Sequence, residues 1–199
     1  MKAVTAKPAA PRLAPVGKLE WRSLIQGLRE DGLVSAEDAD QTARRFAGGQ
    51  SAQHPLVRIA SVNLLRAGTT KPLDVEALTE WLAGRVGLPY LRIDPLRVDV
   101  GRVAEIMSIT YAERRRALPL TVGLHDVTIA TCEPLDIGWV AEIEAHARKA
   151  VKLVVASPPE CVSRLAATST RILALRAQIA KSLIMRSHFF AGSLKRRSI

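Results

Sequence analysis

Apolar residues recur at helical spacing through the first half of the chain and at strand spacing through much of the second. Trp21, Leu24, Ile25 and Leu28 fall along one side of a 3.6-residue repeat, and Asp31-Gly32 stops that helix. Ser35 with Asp38 has the form of a capping box that opens another helix, which Gly48 and Gly49 break. Leu56 to Leu65 and Val75 to Val86 read as two further amphipathic helices, parted by Gly68-Thr69-Thr70-Lys71-Pro72, with Asp74 placed to cap the second. The two helical pairs have the form of a diverged duplication.

At Gly87-Leu88-Pro89 the period changes, and Tyr90 to Ile93 reads as a short strand. Val100 to Met107 and Tyr111 to Arg116 are predicted helices. Ala117 to Gly123 and Val127 to Thr131 are predicted strands joined across Leu124-His125-Asp126, followed by a helix over Ile137 to Lys149 and a strand over Val151 to Ala156. The fold class is therefore α+β (mixed αβ): an N-terminal helical subdomain, then a small mixed sheet covered by helices, then a helical basic tail. The chain divides into a disordered leader rich in Ala, Pro and Lys (1–18), the helical subdomain (19–86), the αβ subdomain (87–160) and the tail (161–199), whose helix runs over Leu165 to Leu183.

Composition narrows this picture. With 48% apolar but only 4% aromatic residues, a β-sandwich is disfavoured. The net charge of +10 is confined to the ends: residues 1–18 hold four basic groups and no acid, residues 161–199 hold eight and no acid, and the middle holds 17 against 19 acids. A polyanion binder acting through the tail is thus a rival reading, sensitive to salt, although no nucleic-acid recognition motif accompanies it and specific nucleic-acid binding is not expected. Cys132 and Cys161 are far apart and lack metal-ligand spacing, so neither a zinc site nor a disulfide framework is indicated. The N-terminus has no apolar signal region and no window approaches the roughly 20 apolar residues of a membrane span, which implies a cytoplasmic protein.

The order Gly87-Leu88-Pro89, strand, helix, Leu118-Pro119, Val127-Thr128-Ile129-Ala130, Pro134-Leu135-Asp136, helix resembles the N-terminal region of the type II secretion and type IV pilus assembly ATPases. This is the GspE/PilB family, with its MshE-type N-terminal domain. Gly32-Leu33-Val34-Ser35 is similar to a Gly-Leu-Ile-Ser turn in the same family, and the pattern covers about residues 19 to 160. The resemblance implies a non-catalytic docking and regulatory domain that binds a GspL-like or PilM-like inner-membrane assembly protein, with an intact secretion ATPase as a second candidate partner. On that reading the domain is peripheral to the inner membrane through its partner.

Two departures bear on activity. The phosphate loop Gly-x-x-x-x-Gly-Lys-Ser/Thr, whose amides cradle phosphates, is absent: the only Gly-Lys pair, Gly17-Lys18, is followed by Leu19 and preceded at the upstream glycine position by Arg12. No ATP hydrolysis is expected of these residues, and no cofactor is required. Some members bind cyclic di-GMP through an Arg-Leu-Gly element that begins nine residues before the turn glycine, where this chain has Ser23-Leu24-Ile25. Serine cannot supply the bidentate guanidinium, and Arg22 and Arg29 lie at other helical angles. The segment after Cys161 departs from the family and reads as the product of a truncation or frameshift that removed the motor.

Partner recognition is assigned to Trp21, Leu24 and Leu28, rimmed by Arg22 and Arg29. Trp21 and Trp81 are core residues by pattern, and either becomes a partner anchor if exposed. His54, before Pro55, reads as a helix-start or surface residue, and so does His125 in its turn. Cys132 reads as a small buried residue at a strand end whose neighbour Glu133 raises its pKa. Glu142 and Glu144 point to different helical faces and form no catalytic pair. Arg114-Arg115-Arg116 is a solvated helix end, with phosphate binding as the sharper alternative.

Overall fold

The computed structural model describes residues 17–49, 51–93 and 105–167, together with Thr170 and Ala174. The leader up to residue 16, most of the helix expected over Val100 to Met107 and nearly all of the tail lie outside the described residues. Helix α1 (Trp21–Glu30) buries Leu24, Ile25, Gly27 and Leu28. It ends in a Schellman turn: Leu33 N–H donates to Leu28 O at 2.9 Å, Gly32 N–H donates to Arg29 O at 3.0 Å, and Gly32 has φ +68°. Helix α2 (Ala36–Ala47) opens as expected, with Ser35 Oγ accepting from Asp38 N–H.

Helix α3 (Pro55–Ala60) is shorter than the repeat over Leu56 to Leu65 implied. Ser61 Oγ donates to Arg58 O, Asn63 takes a left-handed φ of 54°, and the chain leaves in an extended course that pairs Leu65 with Pro72. Leu64 stays in the core without being helical. Helix α4 (Val75–Val86) has the expected bounds, capped by Asp74 Oδ1 accepting from Ala77 N–H at 2.8 Å. Its end repeats that of α1: Leu88 N–H donates to Ala83 O at 3.0 Å, and Gly87 has φ +72°.

The α1 and α4 helices approach closely. A Cβ at Gly27 would lie 3.1 Å from both Trp81 Cζ2 and Arg85 Cζ, so glycine is what admits these side chains. Arg85 pairs with Glu30 (2.6 Å) and Asp31 (2.8 Å) and donates to Gly27 O, while Trp81 Nε1–H donates to Asp31 Oδ2 at 2.8 Å. Trp81 is thus a partly buried member of the helical core rather than a free anchor.

In the αβ part, helix α5 (Ile109–Arg115) ends at Arg116 in a left-handed conformation and leads into β1 (Ala117–Val122). Strand β2 (Asp126–Thr131) pairs antiparallel with β1, and β3 (Ala150–Val155) pairs parallel with β2 through the crossover helix α6 (Val140–Ala147). The sheet is therefore mixed, in the order β1-β2-β3. Tyr90 to Ile93, expected as a strand, makes only a bridge from Tyr90 to Val155 on the free side of β3. Helix α6 starts later than Ile137 because the preceding residues turn, with Val140 N–H donating to Ile137 O and buried Trp139 at the N-cap. Residues 158–167 are helical again (α7), and Cys161 and Leu165 enter the αβ core alongside Val127, Ile129 and Trp139.

Two cores result, one of helices and one around the sheet. Leu28 is fully buried in the first, so Leu28→Ala should cost about 3 kcal/mol by the usual range for buried leucines. Urea unfolding measures this, and a loss under about 1 kcal/mol would place Leu28 at a surface.

Candidate functional site

The residues expected on a docking face separate into two groups. Leu24 and Leu28 are fully buried, so nothing that docks on α1 can reach them. Trp21 is half-buried and packs edge-on against Phe46, with centroids 5.5 Å apart at 88°. The Arg22 guanidinium lies 4.4 Å from the Trp21 ring, and that of Arg58 lies 4.1 Å from Phe46 and 5.9 Å from Trp21. Arg58 is held further by donating to Phe46 O at 3.2 Å and Gly49 O at 2.9 Å. These groups line a cleft of about 860 Å³ between the start of α1, the end of α2 and α3. Arg29 lies outside it, in the smaller groove between α1 and α2, and pairs with Asp40 at 3.6 Å. Phe46 and Arg58 gave no signal in sequence, because only the packing of three helices brings them to Trp21.

A second polar constellation lies where the two cores meet. Glu133, on the turn after β2, is buried and accepts from Leu19 N–H at 2.9 Å and from Arg116 Nη1 at 3.0 Å. His54 Nε2 lies 3.4 Å from Glu133 Oε1 and 3.1 Å from Cys132 O. His54 Nδ1 also accepts from Leu56 N–H, so this residue is the N-cap of α3, the helix-start role expected of it. It is buried, however, and it has the carboxylate partner that its sequence neighbours did not offer. Two residues beyond Glu133, Leu135 packs onto the helical core and its carbonyl accepts from Gly17 N–H.

Burial opposes charge on both partners. For His54 the hydrogen bonds to Cys132 and Glu133 outweigh it and push the ring up to about 9. For Glu133 burial is likewise outweighed, by His54, the Leu19 amide and Arg116, and the carboxyl is held below its ordinary range. Capping α3 requires a bare Nδ1, while the charged ring carries a proton there. Protonation therefore exchanges the cap for a stronger bond to Glu133.

The segment that carries this joint, the αβ layer from Gly87 through α7, matches the MshEN domain family over residues 86–168. Over the stretch matched, the chain is similar to the N-terminal region of the secretion and pilus assembly ATPases. It is 37% identical over 147 residues to the type IV pilus assembly ATPase TfpB of Acinetobacter baylyi, covering 72% of this chain and 25% of TfpB. The chain therefore spans about a quarter of that relative. In fold it is similar to a solved structure of MshE with cyclic di-GMP, at a TM-score of 0.52 and 19% identity, covering 76% of this chain and 99% of that one.

The MshEN match continues past Cys161, where the sequence pattern had placed the start of the tail. Cys132 and Cys161 are both free and buried in the MshEN core. Contact with Cys161, and then with His54, draws the Cys132 thiol down against burial, while Cys161 is raised by Cys132 and by burial. Glu133 still raises the Cys132 thiol as expected, but the contacts with Cys161 and His54 outweigh it. The arginine run is dispersed: Arg115 pairs with Asp136 at 3.7 Å, Arg116 pairs with Glu133, and Arg114, alone of the three, is exposed and has no ion pair to a described residue. Glu142 accepts from Tyr111 O–H and Glu144 from Val151 N–H, so the two acids serve separate contacts. His125 is exposed in the hairpin turn. Among the described residues no group of His, Cys, Asp and Glu is placed to hold a metal.

Glu133→Gln should cost about 3 kcal/mol, because it leaves Arg116 and the charged His54 facing a neutral group. The sign with pH follows from both shifts. His54 is raised, so its contribution is complete below its unfolded value of about 6.5 and is lost as pH rises through about 9. Glu133 is lowered, so its contribution is lost as pH falls through its folded value. Urea unfolding of the wild type should show the alkaline loss, and His54→Asn, which can still cap α3, should lack it. A wild-type curve that stays flat through pH 9 would remove the charged imidazole from the joint.

Proposed function

We propose that this chain is the docking and regulatory part of a type II secretion or type IV pilus assembly ATPase and binds a GspL-like or PilM-like inner-membrane assembly protein. The family match and the likeness to TfpB support the system, and the region matched is the N-terminal part rather than the catalytic ATPase part. The observation that carries the reading is the half-exposed Trp21 beside Arg22 and Arg58, since amphipathic rings and guanidiniums at a concave surface are the residues that dominate protein interfaces. Among the described residues no helix is long and apolar enough to cross a membrane, so attachment to the inner membrane on this reading comes through the partner.

A second reading is a cyclic di-GMP sensor, and the observation in its favour is the solved MshE structure with that ligand. Against it, exposed Ser23 stands where the arginine of the ligand element would be, and the neighbouring Arg22 is stacked on Trp21. A calorimetric titration separates the two. The docking reading expects no heat from cyclic di-GMP, whereas the sensor reading expects binding that is lost in Arg22→Ala or Arg29→Ala.

The docking reading is tested by capture of the cytoplasmic domain of the GspL-like or PilM-like protein from the same organism. Capture should survive removal of residues 169–199. A deletion starting at 161 is unsuitable, because it would take Cys161 and Leu165 out of the core. If binding instead tracks the basic tail and fades with added salt, the polyanion reading replaces the docking one.

A further inference from the structure

Resting on the docking reading, we infer that the cleft beside α1 receives an acidic segment of the partner protein, whose carboxylates pair with Arg22 and Arg58 next to the Trp21 ring. The described arginines differ in whether an acid lies beside them. Arg29, Arg85, Arg92, Arg115 and Arg116 each have a carboxylate within 4 Å. Arg22 and Arg58 have none among the described residues, yet both are held in place by stacking on Trp21 and Phe46. Other arginines without an acid, such as Arg44 and Arg114, are exposed and stack on no ring among the described residues. An arginine already oriented by an aromatic face loses little side-chain freedom when a carboxylate arrives; Arg22 can donate to it through its planar fork, and Arg58 through the N–H groups that Phe46 O and Gly49 O leave unused.

The charge of the cleft points the same way. Glu20 is the one acid among its described lining residues, and it makes no side-chain cap to α1. The chain's own ends do not suit the cleft, because residues 1–18 and 161–199 hold four and eight basic groups and no acid. Self-occupation would add positive charge to positive charge. A volume of about 860 Å³ accommodates several side chains of an incoming segment.

The probe is a short peptide of alternating Glu and Leu, titrated into the full chain while the Trp21 indole N–H resonance, assigned with Trp21→Phe, is followed. The Glu-Leu peptide should shift that resonance and its Lys-Leu counterpart should not. Arg22→Glu with Arg58→Glu should weaken binding by about tenfold or more, and Arg114→Glu should leave it unchanged. Arg22→Glu alone, at an exposed position, keeps the test decisive if loss of Arg58 unfolds α3. An unmoved Trp21 signal, equal binding by the charge-reversed variants, or a shift produced by cyclic di-GMP but not by the peptide would overturn the inference. Capture of the platform protein that survives the charge reversals overturns it too and leaves docking standing. Peptide binding without capture of that protein supports the acidic-segment chemistry and strikes the GspL-like or PilM-like identity alone.

Discussion

Glu133 sits on the turn between β2 and α6, and its carboxylate is buried where the helical core meets the sheet core. A buried carboxylate persists only if its oxygens are engaged, and here the engaging groups come from three distant places. Leu19 N–H comes from the approach to α1, His54 from the cap of α3, and Arg116 from the end of α5. The docking of one core on the other is therefore tied to one charge, and Leu135, two residues on, adds apolar contact to the same joint. Tyr90 O–H, bonded to Glu76 of α4, ties the parts a second time near β3.

The helical part owes its rigidity to local chemistry used twice. Gly32-Leu33 and Gly87-Leu88 close α1 and α4 with the same turn, each glycine in the left-handed region. Arg85 and Trp81 then hold α4 against the end of α1 through Glu30, Asp31 and the gap left by Gly27. With the C-terminal end of α1 fixed this way, its N-terminal end, carrying Trp21 and Arg22, faces the cleft formed with α2 and α3.

That arrangement separates support from accessibility along a single helix. Leu24, Ile25 and Leu28 hold α1 in the core, while Trp21 and Arg22 lie at its accessible end. A partner held there would act on an element that also borders the Glu133 joint, since Leu19 both lines the cleft and donates to that carboxylate. The cleft and the seating of the sheet core on the helices thus share one stretch of backbone.

Much of the fold was legible in sequence because it rests on short-range rules. The Asp74 and Ser35 caps, the Gly32 and Gly87 stops and the valine-rich strand near 151 depend on residues within one turn or one strand of each other. The helix expected beyond Ala60 failed because its apolar residues continue while the backbone turns at Asn63, and periodicity reports burial rather than dihedral angle. Tyr90 to Ile93 looked like a strand yet makes only a bridge, since ladder formation depends on a neighbour far along the chain. His54, Arg116 and Glu133 were each read as bland, because no spacing relates residues 54, 116 and 133. Sequence by itself determined most of the helices, the three strands of the sheet, the family likeness and the aromatic-arginine character of α1, all legible from residues close together in the chain. Only the tertiary structure decided which of those side chains are spent on the core and which remain at the cleft, because burial depends on what distant segments bring to each face.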